Sequence, residues 1–186
     1  MGVNITAIFP LNEFHETMSH VIDKIENQEY TSIKECYNTM LSEGFLEIPK
    51  ALPQWYLNDE KVSQRPKLPT IHAALELSEG IVLRFRNDGF EIWSVVRANL
   101  AIIEYPEILE KLISIHTEIA KDIGVNECWI MGDNNPIYHA FIRNKDFKSI
   151  ASNTLQVVNT EELYQEIELE DEVNYTIKGY CKLTLL

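Results

Sequence analysis

Residues 73 to 97 constrain this chain more than any other stretch. Three runs rich in β-branched and aromatic residues, Ala73 to Leu77, Ile81 to Arg86 and Phe90 to Arg97, are separated only by a short break at Gly80 and by Asn87-Asp88-Gly89. Apolar and polar residues alternating between turn signals read as strands, and the second gap reads as a hairpin. Asp88-Gly89 suits a type I′ turn, because both central residues need positive φ, which Gly accepts freely and Asp tolerates. With those two as the loop, Arg86 is predicted opposite Glu91, Phe85 opposite Ile92 and Arg84 opposite Trp93. Alternation then turns Leu83, Phe85, Phe90 and Ile92 to the core and gathers Arg84, Arg86, Glu91 and Trp93 on the other side.

Helical patterns flank this heart. Asn12 is placed to cap a helix in which Phe14, Met18, Val21, Ile22 and Ile25 form one apolar stripe. Ser32 with Glu35 three residues later is the spacing of a capping box for a second helix, carrying Ile33, Cys36, Tyr37, Met40 and Leu41 and stopped by Gly44. The short connection between them predicts an antiparallel pair over 11–48. A third helix starts at Pro106, where the missing N–H costs nothing, and ends at Gly124.

Pro49, Pro53, Pro66 and Pro69 bracket 49–69, which lacks periodicity over Asn58 to Lys67 and reads as a connecting loop, with Trp55-Tyr56 either anchored on the core or offered to a partner. Glu127 to Met131 reads as a buried strand. The segment Pro136 to Ile142 fits either a helix started by Asn135-Pro136 or a short strand pair. Leu155 to Val158, a short helix from Thr160 and closing strands from Val173 complete 70–186. The expected fold is one α+β domain, a mostly antiparallel sheet with helices packed on one face and an N-terminal helical pair.

With 186 residues, 45% of them hydrophobic, the chain has enough apolar material for one sizeable core. No apolar run approaches the length that crosses a bilayer, so no membrane partner is expected. The first residues lack the basic and apolar regions of a secretory signal. Cys36, Cys128 and Cys181, odd in number and far apart, suit free thiols in a reducing compartment. The expected location is cytoplasmic.

Motifs that carry chemistry are sparse. His15 and His20 bracket Glu16 in the manner of a zinc-protease helix, but a spacing of five turns the two side chains roughly 140° apart, too far to share one tetrahedral ion. No other metal spacing, phosphate loop or nucleophile elbow occurs, so neither metal nor cofactor is expected. Cys128, on a buried strand beside Glu127, has its thiol pKa raised rather than lowered. A small hydrolase built from His72, His139, Asp133 or Cys128 is the alternative that the residue types leave open.

Charge speaks more clearly. The formal net charge is −13, and from Asn159 to Glu172 seven acidic residues stand without a Lys or Arg. In an extended strand Glu166, Glu168, Glu170 and Glu172 fall on one face, an array whose self-repulsion a basic partner relieves. The same field disfavours nucleic acid. The sequence therefore predicts a non-catalytic acidic protein that captures a basic partner protein, as an intracellular inhibitor, antitoxin or immunity protein does. The expected contact residues are Glu166, Glu168, Glu170 and Glu172, with Arg84, Arg86 and Trp93 as a second anchor of the residue types that dominate interface energies.

Overall fold

A computed structural model describes residues 3–14, 16–46, 53–70, 72–78, 80–169 and 172–185, with only the backbone described at 16, 78, 164–169 and 172–176. The elements in chain order are β1 (Asn4–Pro10), α1 (Glu16–Glu26), α2 (Thr31–Ser42), β2 (Gln54–Leu57), β3 (Glu60–Val62), β4 (Ala73–Ser78), β5 (Ile81–Arg86) and β6 (Gly89–Arg97). A π-helical turn at Leu100–Glu104 leads into α3 (Pro106–Ile123), followed by β7 (Glu127–Gly132), α4 (Pro136–Ile142), α5 (Phe147–Ser152) and β8 (Gln156–Val157). A 3₁₀ turn at Glu161–Leu163 then precedes β9 (Tyr164–Leu169), β10 (Glu172–Ile177) and β11 (Tyr180–Thr184). The fold is α+β, as the sequence predicts.

Nine strands form one sheet in the order β3-β2-β4-β5-β6-β1-β7-β11-β8. Every pairing is antiparallel except β8 with β11. Beside the middle strand β6 lies β1, an interior strand that the sequence reading did not assign. Its residues Ile5, Thr6, Ala7, Ile8 and Phe9 are all buried, so both faces are covered and the usual apolar-polar alternation is missing. Ile5, Ala7 and Phe9 join the larger core under α1, α2 and α3, while Ile8 joins a second core under α4 and α5. The three longer helices thus share one face, and the short pair covers part of the other.

Several local expectations are revised. The first helix begins at Glu16, one turn beyond the start that an Asn12 cap implies. The second begins at Thr31 with Tyr30 as N-cap and no side-chain cap bond, so Ser32 and Glu35 form no capping box. Both side chains reach α3 instead, Ser32 donating to Glu118 at 2.8 Å and Glu35 accepting from Lys111 at 2.7 Å. Lys24 and Tyr30 likewise donate to Asp122, at 2.7 and 2.8 Å. These links tie α1 and α2 each to α3 more than to one another. Gly44 and Gly124 adopt the left-handed conformation that ends α2 and α3, with φ of 76° and 80°.

The two-residue turn with positive φ at both centres lies inside the segment read as a loop. Asn58 and Asp59, with φ of 51° and 64°, join β2 to β3, and Trp55 anchors that hairpin with 5% of its surface exposed. The β5–β6 turn is Asn87-Asp88, neither residue having positive φ, so the register differs from the prediction: Arg84 faces Glu91, Phe85 faces Phe90 and Arg86 faces Gly89. The predicted division of faces survives, because sliding the partner by two residues preserves the pleat. Gly89 lies in the strand because a Cβ there would sit 2.8 Å from Phe141 and 3.0 Å from Phe147. The glycine serves close packing, not the turn.

Asn135 settles the segment that was open between helix and strand. Its side-chain oxygen accepts from the Ile137 N–H at 2.8 Å, and Pro136 occupies the first helical turn of α4. Among the described residues, no helix is long and apolar enough to cross a membrane.

Candidate functional site

Two regions of the molecule could meet a partner or ligand, the acidic segment and a cleft beside α4. The acidic segment is not one strand. It forms a separate hairpin in which Glu166 faces Tyr175, Glu168 faces Val173 and Glu172 faces Leu169. Glu166 and Glu168 therefore share one face by register, and Glu172 falls on the other, because the chain reverses between them. Glu170 lies outside the described residues, as does His15. The hairpin is rooted by buried Leu163 and by Ile177, which packs on the main core, and the Lys178 N–H donates to the Leu163 carbonyl at 2.6 Å. Exposed Glu161 and Glu162 precede it, and Val158 and Leu155 beside them are 83% and 51% exposed.

The predicted quartet Arg84, Arg86, Glu91 and Trp93 lies on the sheet face that α4 and α5 partly cover. Glu91 is wholly buried, accepting from the Arg84 guanidinium at 2.9 Å and from the Thr6 hydroxyl at 2.7 Å. Burial raises the Glu91 pKa above the ordinary carboxylate value, against the lowering effects of Arg84 and Thr6. For Arg84, burial works against the charge, but Glu91 and Tyr138 outweigh it and hold the guanidinium protonated.

Arg86 stacks on two phenylalanines. Its carbon lies 5.2 Å from the ring centres of both Phe141 and Phe147. Asp88 accepts from it twice, at 2.8 and 2.9 Å, and the carbonyls of Phe141 and Lys145 accept at 2.9 and 3.0 Å. A guanidinium so employed closes the C-terminal end of α4 onto β5. Trp93 donates to Asp133 at 3.3 Å, whose carboxylate also takes the backbone N–H and side-chain amide of Asn4, both at 3.0 Å. Asp133 thereby fastens β1 to β7.

The four residues of the hydrolase alternative are not gathered. Cys128 faces the α1–α3 core with none of its surface exposed, and burial raises its thiol pKa. Asp133 lies five residues along, about 16 Å at strand rise, bonded to Trp93 on the opposite face. His72 stands exposed in the cleft, and His139 is on α4 with its Nδ1 buried and unbonded. Among the described residues, no group of three or more His, Cys, Asp or Glu could hold a metal ion.

The cleft itself, which the sequence reading missed, has a volume of about 410 Å³, within the range of small-ligand sites. Its floor is the outer face of β4 and β5, with Ala74, Glu76, Val82 and Arg84; one wall is Tyr56, Asp59 and His72, the other Tyr138, Phe141, Ile142 and Asn144. Asp59, His72 and Asn144 carry three of the five positive φ values found at described non-glycine residues. His72 was visible in the sequence, but nothing there placed it across a cleft from Tyr138, since the two walls come from segments some seventy residues apart. Compared with known proteins, the chain matches no family model, no curated protein and no solved structure.

Proposed function

We propose that this chain is a non-catalytic acidic binding protein that captures and neutralises a basic partner protein in the cytoplasm, in the manner of an inhibitor, antitoxin or immunity protein. The observation that carries the reading is the placement of the acidic run on its own hairpin, separate from the nine-stranded sheet. A net charge of −13 steers a cationic macromolecule and repels nucleic acid. Exposed Leu155 and Val158 at the root of the hairpin add apolar area, which binding energy requires beyond charge. The chain's own cations support the reading too: Lys24, Arg65, Arg84, Arg86, Lys111 and Lys182 are each engaged with an internal carboxylate outside the acidic run. Three buried free cysteines are compatible with a reducing compartment.

The test is a pull-down from the native host with the wild-type chain and with the Glu166→Lys, Glu168→Lys, Glu170→Lys triple variant. A basic protein retained by the first and released by the second is the expected result. Retention of no basic protein, or equal affinity for both baits, would overturn the reading.

A further inference from the structure

The cleft beside α4 presents two opposite charges that do not pair with one another, Glu76 and Arg84. Ala74 faces Arg84 and Glu76 faces Val82 across the β4–β5 ladder, so Glu76 and Arg84 are diagonal neighbours on the same face, about 7–8 Å apart and somewhat closer at Cβ. Arg84 turns to its other side, where its Nη1 N–H donates to Glu91 of β6, and the guanidinium also engages the Tyr138 hydroxyl in the wall of the cleft. The second oxygen of Glu91 takes the Thr6 hydroxyl. That buried carboxylate fixes the guanidinium, whose side chain keeps 32% of its surface exposed and has further donors to offer. Among the described residues, the Glu76 carboxylate has no hydrogen bond or ion pair.

A buried ion pair is a weak source of stability, because desolvation offsets most of the attraction. Orienting the Arg84 fork toward the cleft gives Glu91 a second role. A simple anion entering the cleft meets Arg84, and Arg86 already held by Asp88, but also Glu76 and Asp59; a simple amine meets those carboxylates but also the two guanidinium groups. A small molecule carrying both charges close together satisfies both groups at once. The walls supplied by Tyr56, Tyr138, Phe141 and Ile142 are aromatic and aliphatic, suited to an apolar body.

We propose that the cleft between α4 and the β2–β3 turn binds a free α-amino acid with an apolar side chain, its carboxylate on Arg84 and its ammonium on Glu76. This site is independent of the acidic hairpin and of any protein partner bound there.

Titration calorimetry on the full chain tests it with three probes that share one side chain: L-phenylalanine, phenethylamine and 3-phenylpropionate, with L-leucine, isoamylamine and 4-methylpentanoate as a second set. Each amino acid is expected to bind about tenfold or more tightly than either single-charge analogue, since each loses one charge-assisted contact. Glu76→Gln should weaken the amino acids about tenfold and leave the carboxylate analogues unchanged or stronger. Arg84→Lys should weaken amino acids and carboxylates together while leaving the amines unchanged or stronger. Glu76 is bonded to no neighbour, so its variant keeps the test valid if Arg84→Lys does not fold. Absence of heat with both amino acids, amines binding as tightly as the amino acids, or a Glu76→Gln variant with unaltered amino-acid affinity would each overturn the proposal.

Discussion

Glu91 and Arg84 face each other across β5 and β6 at 2.9 Å, the carboxylate with none of its side chain exposed and the guanidinium at the edge of a cleft. The pair occupies the layer between the sheet and α4. Removing one partner leaves a charge without compensation in a dry setting, whereas removing both restores an apolar layer.

Arg84→Met alone should therefore destabilise the protein by about 3–5 kcal/mol in urea titrations, and the Arg84→Met, Glu91→Leu double variant should recover most of that loss. The single variant should also acquire a pH signature. Without Arg84, the Glu91 pKa rises further above the ordinary 4.5, so the native state keeps a proton that the unfolded chain releases. Stability then falls as pH rises from 4.5 through the native pKa, and the deficit against wild type shrinks on acidification.

His116 has 1% of its surface exposed on α3, its ring against Phe9 and its Nδ1 without a hydrogen bond. Burial pushes its pKa down from 6.5 to about 3. The unfolded chain takes up a proton below 6.5 that the native state refuses, so this residue's contribution to stability is intact above 6.5 and declines as pH falls toward 3, by about 1.4 kcal/mol per unit. His116→Phe should flatten the acid limb of a stability-versus-pH curve over that window. An acid limb of unchanged slope in the variant would contradict the assignment.

Gly89→Ala should destabilise by about 1–3 kcal/mol and perturb the near-ultraviolet dichroism, because the new methyl meets the rings of Phe141 and Phe147. Thermal melts of this variant beside Asp59→Gly separate packing from turn conformation. At Asp59, with φ of 64°, glycine relieves a left-handed side chain and should be neutral or stabilising by up to about 1 kcal/mol. Asp88→Gly should instead lower the melting temperature, since it strips Arg86 of both carboxylate contacts.

Cys36, Cys128 and Cys181 are buried and free. Burial raises all three thiols, Cys36 to about 12 despite the nearby Lys111. A thiol reagent at neutral pH should label none of them in the native protein and all three after denaturation. Fast labelling of any one in the folded state would show that its element opens locally.

The class of fold, the strands from Ala73 to Arg97 with their two faces, the helix from Pro106 to Gly124 and the concentration of negative charge are all legible in the residues alone. Those features are written in short-range periodicity, in Pro and Gly at helix ends, and in composition. The rest depends on contacts between distant segments. The interior strand β1 carries no alternation because both of its faces are buried, and the Glu166 to Glu172 run reverses in a hairpin rather than presenting one face. The β5–β6 turn shifted by one residue because Gly89 is required under two phenylalanines, and the positive-φ turn went to Asn58-Asp59. The cleft was out of reach for the same reason: its walls and floor come from β2, β4, β5 and α4, and no local pattern records which surfaces long-range packing will bring face to face.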